Sequence, residues 1–385
     1  MKNFVYFLGL AFIILTSCKQ EDTLGSNTTQ SAAVDEDEDN TKATIDDNYT
    51  YKLPIIFHVL YQDANDQTQY VPAARLQTIL NQVNELYQGN VYGQSENINV
   101  KFFLANYDES GKKLATPGVE YVHYTDTYPI DPNKFMNDNT GNKVKYIWDP
   151  NEYINVMVYH FTKDKEGQTL GISHMPYIVK SDSTIEGLES TTSKYISKSN
   201  LGYAYCSSVN STYINSESTR YTLADKGLRG YDYTSTDVTV TLAHELGHYL
   251  GLFHAFAENK TDSGYVTSDD CHDSDFCKDT PSYNRVAYNS WLSQYLTSTP
   301  SANVDIYTLI SRTSCDQTKF DSEDIMDYSI SFSFKFTPDQ KYRIRQVLYY
   351  SPLTPGPKKN RTSSRASDFD TITHGKLDLP IRTMK

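Results

Sequence analysis

Residues 244–254 read His-Glu-Leu-Gly-His-Tyr-Leu-Gly-Leu-Phe-His, and this stretch decides how the rest of the chain is interpreted. It fits the pattern H-E-x-x-H-x-x-G-x-x-H at every specified position. Good N-cap residues lie at 234–237, and residues 238–250 carry the apolar pattern of a buried helix. The segment therefore predicts a helix that stops at Gly251.

Three histidines of this stretch predict a zinc site. His244 and His248 share one face of the helix, because positions i and i+4 are neighbours on a helix surface. Gly251 can adopt a positive φ without steric cost, so the chain can turn sharply and bring His254 back as a third ligand. Three imidazoles that leave a fourth position open are typical of catalytic zinc.

Glu245 is predicted to be the general base of a hydrolytic reaction. It follows the first ligand directly, where its carboxylate can reach a zinc-activated water without ligating the ion. It would take a proton from that water and pass it to a leaving amine. The remaining histidines have no such register and are expected to be structural: His58, His123, His160, His174, His272 and His374.

The patterns elsewhere in the chain predict an α+β fold with a mixed sheet and a backing helix. Apolar residues repeat at helical spacing within Pro72–Gly89, and a last helix is predicted from Pro338 to about Tyr349. Residues 125–150 and 180–200 are polar and aperiodic, which indicates loops. The predicted strands are Leu53–Tyr61, Asn97–Asn106, Val119–Tyr124 and Tyr153–Phe161.

Residues 1–18 are typical of a bacterial lipoprotein signal peptide. Lys2 precedes an apolar run, and residues 15–18 read Leu-Thr-Ser-Cys, which resembles a lipobox. The run is shorter than the roughly 20 apolar residues that a membrane-spanning helix needs. We therefore expect Cys18 to carry a lipid that anchors the chain to the bacterial cell envelope, at the outer membrane.

Residues 19–48 predict a disordered acidic tether. They lack aromatic residues and contain nine acidic residues against two basic ones, so their net charge is −7 out of −13 for the whole chain. Glu21 and Asp22 resemble a surface-export signal of bacterial lipoproteins, and plain solubility is the alternative. The remainder is only mildly acidic and has no sustained Lys/Arg stripe, so we expect no nucleic-acid partner.

The chain contains five cysteines, of which the lipid would occupy Cys18. The other four permit two disulfides in an exported chain, with three possible connectivities. Their spacing fits no zinc-ribbon pattern. These four are Cys206, Cys271, Cys277 and Cys315.

A methionine turn, Asp-Ile-Met-Asp-Tyr, follows the zinc motif at residues 324–328. The pair of motifs resembles the metzincins, and within them the pappalysin family of metallopeptidases. The resemblance covers about residues 50–350 and is dense in motifs only from about 235 to 345. Its supporting stretches are HELGHYLGLFHAF (244–256), DFCKDTP (275–281), IMDYS (325–329) and FTPDQKYRIR (336–345).

The resemblance implies a metzincin-type catalytic domain of the α+β class. Residues 49–254 would form an upper subdomain, in which a mixed twisted sheet with a backing helix carries the active-site helix above a cleft. Residues 255–351 would form a small, irregular lower subdomain with the methionine turn and a C-terminal helix. Residues 352–385 would be a polar tail.

The resemblance also assigns roles to individual residues. Met326 would form an apolar floor under the three histidines without binding zinc, and Tyr328 would stabilise the oxyanion of the reaction. A structural calcium would bind in the loop that follows the zinc motif, because hard oxygen donors suit this ion. Its donors would be Asp275, the carbonyl of Cys277, and Thr280 or Asp279.

Two further features follow from the resemblance. A Cys271–Cys315 disulfide is favoured, and Cys206 with Cys277 would be the remaining pair. Metzincins bind substrate as an extra antiparallel strand, and Leu170–Tyr177 resembles the edge strand, with Leu201–Ser207 as its rival. Residues 329–334 read Ser-Ile-Ser-Phe-Ser-Phe where pappalysins often carry acidic residues, which favours an apolar substrate pocket over a basic preference.

The sequence supports one main functional hypothesis and two alternatives. The main one is an exported, lipid-anchored, monomeric zinc endopeptidase acting on protein or peptide substrates in extended conformation. The first alternative is a zinc amidase or deacetylase that acts on a small amide. The second is a surface-binding lipoprotein with structural zinc, although such zinc usually has four protein ligands and no fourth ligand falls at a convincing spacing here.

Overall fold

The computed structural model describes residues 49–163, 169–180, 185–217, 235–261, 264–356 and 381–384. The predicted signal peptide with Cys18, the predicted tether and His374 lie outside the described residues. No helix within the described ranges is long and apolar enough to cross a membrane.

Each predicted strand and helix is present in the structure, with bounds that shift by up to a few residues. The strands are β1 (Tyr51–Tyr61), β2 (Val100–Leu104), β3 (Val119–His123), β4 (Ile154–Tyr159), β5 (Gly171–His174), β6 (Ile178–Val179), β7 (Ser190–Thr191), β8 (Ser207–Asn210), β9 (Glu258–Thr261), β10 (Gly264–Thr267), β11 (Ser311–Thr313), β12 (Lys319–Asp321) and β13 (Ile381–Met384). The helices are α1 (Ala73–Gln88), α2 (Pro132–Met136), α3 (Val238–Tyr249), α4 (Arg285–Ser298), α5 (Ile306–Ile310) and α6 (Pro338–Tyr350).

The main sheet is mixed, which together with the helices confirms the α+β class. Its order is β13-β5-β8-β4-β1-β2, and β3 also pairs with β1. Strand β1 is almost entirely buried and pairs in parallel with β2, β3 and β4. Strand β5 runs antiparallel to both of its neighbours, β8 and β13, whereas β8 is parallel to β4. Within this sheet, β5 is therefore the one strand of reversed direction.

Helix α1 buries the apolar face that its sequence predicts and supports α3. Gly89 ends the helix with φ of 71°, and a side chain there would collide with the Glu96 carbonyl. The Tyr87 hydroxyl donates a 3.1 Å hydrogen bond to the Ala243 carbonyl, which ties α1 to the middle of α3. The buried face of α1 consists of Leu76, Ile79, Leu80, Val83, Leu86 and Tyr87.

Helix α3 is buried along its whole length and packs against β5 and β8. The Asp237 carboxylate caps its first turn by accepting hydrogen bonds from the backbone of Thr239 and Val240. The helix ends where Gly251 adopts φ of 94°, as the sequence predicts. A side chain at Gly251 would also collide with Val347 of α6, so this turn and α6 are packed tightly together.

Three helices, α2, α4 and α5, were not predicted, because none of them has an apolar repeat long enough to indicate a helix. Helix α2 has five residues and lies within the segment 125–150, which the sequence predicts to be loop. Helix α4 has 14 residues, of which only Arg285 and Tyr288 are buried, so no amphipathic face marks it in the sequence.

The cysteines confirm one predicted disulfide and correct the other. Cys271 and Cys315 are bonded, which ties the loop after the zinc motif to the segment after β11. Cys206 and Cys277 are both free and buried, so the predicted bond between them is wrong. Cys206 lies beside the Met136 sulfur, next to the main sheet, whereas Cys277 lies in the loop near Asp275. Each thiol fills its own packed site as a small apolar group.

Candidate metal centre

Helix α3 and the turn after it bring the three predicted ligands together. His244, His248 and His254 are buried, and their candidate ligand atoms lie within 4.8 Å of one another. Within the described ranges, no other group of three or more His, Cys, Asp or Glu side chains converges in this way. The structure therefore assembles the predicted set and leaves the other described histidines out of it.

Hydrogen bonds fix the tautomer of each ring. Nδ1 of His244 donates to the Ile325 carbonyl and Nδ1 of His248 donates to the Leu252 carbonyl, both at 2.8 Å. Because a carbonyl can only accept, each Nδ1 carries the proton and each Nε2 carries the lone pair. This tautomer is the one in which Nε2 can bind a metal.

The third ring is oriented by a carboxylate that the sequence analysis missed. Nδ1 of His254 lies 2.8 Å from Oε1 of Glu258, and both side chains are buried. A metal-ligating histidine commonly donates its second N–H to a carboxylate or carbonyl, which orients the ring and raises its basicity. The signal that could have revealed Glu258 is its place four residues after His254.

The positions of the lone pairs fit a cation. Nε2 of His248 and Nε2 of His254 lie 3.0 Å apart, with both Nδ1 atoms already committed as donors. Two lone pairs at this distance repel each other unless a positive charge lies between them. Two ligand atoms about 2.0 Å from one tetrahedral zinc would lie roughly 3.3 Å apart, so the donor set fits this ion.

Glu245 lies fully buried on α3 beside the start of β5. An added Cβ at Gly171 would collide with the Glu245 carboxylate, so the backbone of β5 passes directly against this side chain. Only glycine permits this approach. The predicted general base, which directly follows the first histidine on α3, thus lies against the strand predicted to bind substrate.

The methionine turn packs under α3. Met326 is fully buried, and its sulfur would lie 2.5 Å from a Cβ added at Gly247. The Met326 carbonyl also accepts a hydrogen bond from the backbone of Ala255, next to the third histidine. The structure therefore places Met326 against the helix segment between the first two ligands.

Tyr328 lies beside the histidines. Its ring is half-buried and meets the ring of His254 edge-on, with centroids 4.6 Å apart. The Arg285 guanidinium lies 4.8 Å from the Tyr328 centroid and donates a 2.7 Å hydrogen bond to the Ser329 carbonyl. Tyr328 is therefore held in place from the side of α4, by a contact that the sequence did not reveal.

Asp327 anchors the methionine turn. The Tyr283 hydroxyl donates to its carboxylate at 2.7 Å, and the buried side chains of Arg285 and Arg312 lie 3.4 and 3.8 Å from it. Arg312 also donates a 2.6 Å hydrogen bond to the Ile330 carbonyl. This buried cluster fixes the turn through charge-assisted hydrogen bonds.

The segment after Tyr328 directs its aromatic side chains away from solvent. Phe334 is buried, and it occupies the space that a side chain at Gly93 would need. Phe332 is half-buried beside Tyr307. The two phenylalanines therefore pack against the protein itself, which leaves the half-buried Ile330 as the remaining large apolar side chain of this segment.

The predicted calcium donors are only partly brought together. Asp275 is buried, but the Asp279 carboxylate accepts from the backbone of Asp339 at the start of α6. The Thr280 hydroxyl lies 3.5 Å from that of Thr337, and the Cys277 carbonyl accepts from the backbone of Thr280.

Residues 197–349 match the family model of pregnancy-associated plasma protein-A, Peptidase_M43. This part of the chain is similar to the pappalysin-type metallopeptidases. It contains the three histidines, Glu245 and the methionine turn, so the family resemblance is confirmed for the part that carries the site. The family implies a metal, and the histidine cluster fits one.

Two curated fungal proteins, each called "Extracellular metalloprotease", are similar to this chain. They come from Arthroderma benhamiae and Trichophyton verrucosum, and each is 31% identical over 118 residues. The match covers 30% of this chain and 34% of either relative, so it spans about a third of their length.

Among solved structures, mature mirolysin of Tannerella forsythia in complex with a cleaved peptide is similar to this chain. The two are 19% identical, the match covers 77% of this chain and 91% of the other, and the TM-score is 0.47. A promirolysin variant from the same organism is 16% identical, with 81% and 84% coverage and a TM-score of 0.46.

Proposed function

We propose that this chain is a zinc-dependent endopeptidase that hydrolyses peptide bonds in extended segments of proteins or peptides. The observation that carries this proposal is the set of three fixed, converging Nε2 lone pairs on and beside the helix that bears Glu245. The family match supports peptide-bond hydrolysis over an amidase or a binding protein. A single chain suffices for all of these residues, in keeping with a monomer.

The side chains of this chain divide the catalytic work. Zinc, when bound through His244, His248 and His254, supplies a Lewis acid that lowers the pKa of water. Glu245 accepts the proton of the attacking water and returns it to the leaving amine. Its full burial excludes bulk water from this transfer. Tyr328 donates its hydroxyl proton in a hydrogen bond to the oxygen of the attacked carbonyl.

Strand β5 provides the binding edge for the substrate. The strand begins beside Glu245 and runs antiparallel to its inner neighbour β8. An extended peptide that adds to its outer side gains backbone hydrogen bonds without a sequence requirement. The rival segment, Leu201–Ser207, leads into β8, which pairs with β4 on one side and with β5 on the other. We therefore keep Leu170–Tyr177 as the proposed substrate strand, although its outer side pairs with β13 in this structure.

Cleavage of a denatured-protein mixture tests the proposed function. The chain from about residue 46 is incubated with the mixture, with and without a zinc chelator, and new termini are mapped by mass spectrometry. We expect cleavage that the chelator abolishes and added zinc restores. Absence of new termini from a sample with one bound zinc per chain would contradict the proposal.

We further propose a calcium site around the buried Asp275 carboxylate. Oδ2 of Asp275 and Oδ2 of Asp324 are both buried without a hydrogen-bond partner in the structure. Burial raises the pKa of Asp275 well above its usual range and that of Asp324 to about 7. The charge of Asp324 acts on Asp275, and a divalent cation bound by both carboxylates would satisfy both oxygens. In this proposal Asp324 replaces Asp279 in the donor set expected from the sequence.

Calcium is expected to stabilise the protein at pH 8 and much less at pH 5. Because the folded-state pKa of Asp324 is raised from 3.8 to about 7, the folded state without calcium binds the extra proton more tightly. Its stability therefore falls as pH rises from about 4 to 7, and ionised carboxylates become available to calcium above that window. Calcium at about 100 times its Kd would add about 2.7 kcal/mol.

The measurement is the Tm with calcium or magnesium at both pH values. Asp324→Asn should remove the calcium effect, whereas Asp316→Asn, which alters an exposed carboxylate, should retain it. An equal Tm with and without calcium at pH 8 would rule out the site.

We also propose that the chain is exported and anchored to the bacterial outer membrane through a lipid on Cys18. The proposal rests on the lipobox-like residues 15–18 and on the acidic stretch after them. Cells fed a labelled fatty acid should incorporate it into the wild-type chain and not into Cys18→Ser. Equal labelling of the two would contradict the anchor.

A further inference from the structure

The outer side of β5 carries a strand from the far end of the same chain. Strand β13 pairs antiparallel with β5 in a register that places Ile381 opposite His174 and Met384 opposite Gly171. The strand also lies against α3 and β10. Ile381 and Thr383 are β-branched, which favours an extended conformation. Within the sheet, β13 thus takes the outermost position.

The register fixes where the end of β13 lies. Gly171 is the residue whose backbone passes against the Glu245 carboxylate. Strand β13 therefore begins opposite His174 and ends with Met384 opposite Gly171, the residue that contacts Glu245. This is the edge, and the antiparallel pairing, that an extended substrate would use under the proposed function.

We propose that the β5 edge is a docking surface for residues 381–384 of the same chain, and that this segment competes with substrate. The proposal rests on the proposed function, because it takes the competing ligand to be a peptide substrate. The backbone groups of β5 that face outward can pair with one strand at a time. A substrate strand and β13 therefore exclude each other.

The covalent connection makes even weak pairing effective. Residues 357–380, a segment of 24 residues, join β13 to the rest of the domain. A connection of this length gives an effective concentration of about 1 mM. A four-residue strand with a Kd of about 0.1–1 mM would then raise the apparent KM by a factor of about 2–10 and leave kcat unchanged.

Two variants test the competition by kinetics. Truncation after Gly356 removes the segment, and Arg382→Pro/Thr383→Pro keeps its length but removes backbone N–H groups. Successive N–H groups of a strand point in opposite directions, so one of these two prolines must remove a hydrogen bond to β5. Both variants should lower KM for a peptide substrate by about 2–10-fold at unchanged kcat.

A matched control places the prolines outside β13. Ala366→Pro/Ser367→Pro alters the connecting segment by the same number of residues and should keep the wild-type KM. A KM that is unchanged in both the truncated and the Arg382→Pro/Thr383→Pro chains would overturn the proposal.

A binding measurement separates this proposal from the proposed function. A labelled synthetic peptide of residues 378–385, DLPIRTMK, is titrated with the truncated chain carrying Glu245→Ala, and fluorescence anisotropy is recorded. We expect a Kd of about 0.1–1 mM, weakened about 2–10-fold when the full-length Glu245→Ala chain is used. If the Glu245→Ala chains bind the peptide but the chain with Glu245 intact cleaves no substrate, the docking surface is retained and the proposed peptidase function is ruled out. If the chain with Glu245 intact cleaves substrate but the peptide does not bind, only the docking surface is ruled out.

Discussion

Replacing Glu245 with glutamine is expected to lower kcat for peptide cleavage by about 10²–10⁴-fold, with one zinc still bound per chain. Glutamine has nearly the same shape as glutamate and can occupy the same buried site between α3 and Gly171. It cannot accept the proton of the attacking water. Initial rates on a fluorogenic peptide give kcat, and metal analysis of the same sample gives the zinc content.

The matched control for this variant is Glu189→Gln, because the Glu189 carboxylate is exposed and pairs with Lys260 at the surface. The control should keep the wild-type kcat. A Glu245→Gln chain that cleaves at more than a tenth of the wild-type rate, with zinc bound, would remove Glu245 from the role of general base.

Replacing His254 with alanine is expected to abolish stoichiometric zinc binding and with it all detectable cleavage. The variant keeps the imidazoles of His244 and His248 on α3 and removes the third ligand, which the turn at Gly251 brings next to them. It also leaves the buried Glu258 carboxylate without its hydrogen-bond donor, so stability should fall as well. Zinc content after dialysis and the Tm with and without chelator measure both effects.

His123→Ala is the control, because His123 is exposed and lies outside the cluster. Chelator should lower the Tm of the control and of the wild type by the same amount, and leave that of His254→Ala unchanged. Glu258→Gln should fall between these cases, with zinc affinity reduced about 10–100-fold, because it weakens the orientation of one ligand without deleting it. Full zinc affinity in Glu258→Gln would show that the His254–Glu258 contact does not tune the metal.

The sequence was sufficient for features whose physical cause is local. The register of His244 and His248 follows from helical geometry, and the return of His254 follows from the freedom of Gly251 to adopt a positive φ. Strands β1 and β4 were predicted because their burial produces long apolar or β-branched runs. Strands β2 and β3 are only partly buried, and they were predicted from their aromatic and β-branched residues. Their pairing partners along the sheet were not predicted.

The features that were missed arise from contacts between distant segments. Arg285 and Arg312 converge on Asp327 only after α4 and β11 are folded against the methionine turn. No local sequence pattern distinguishes a buried arginine from an exposed one. Helix α4 has the composition of an exposed helix even though it begins with the buried Arg285. The free thiols of Cys206 and Cys277 could not be predicted for the same reason. Whether two cysteines form a disulfide depends on their distance in the folded protein, and not on whether the chain has an even number of cysteines.

The role of Gly171 was also beyond the sequence. A glycine in a strand signals a close approach of something to the backbone, but the sequence does not say of what. The structure identifies it as the Glu245 carboxylate. This contact fixes the distance between the proposed general base and the edge strand.

The shortness of β5 has a consequence for which proteins could be cut. Its four residues span about 13 Å, so a target must release a stretch of similar length from its own secondary structure before it can pair. In an intact domain that release is a local unfolding event with a free-energy cost, and it is rare in stable cores. The rate at which a target protein is cleaved would then depend more on its local stability than on its amino-acid sequence. Linkers, frayed termini and damaged domains would be cut first.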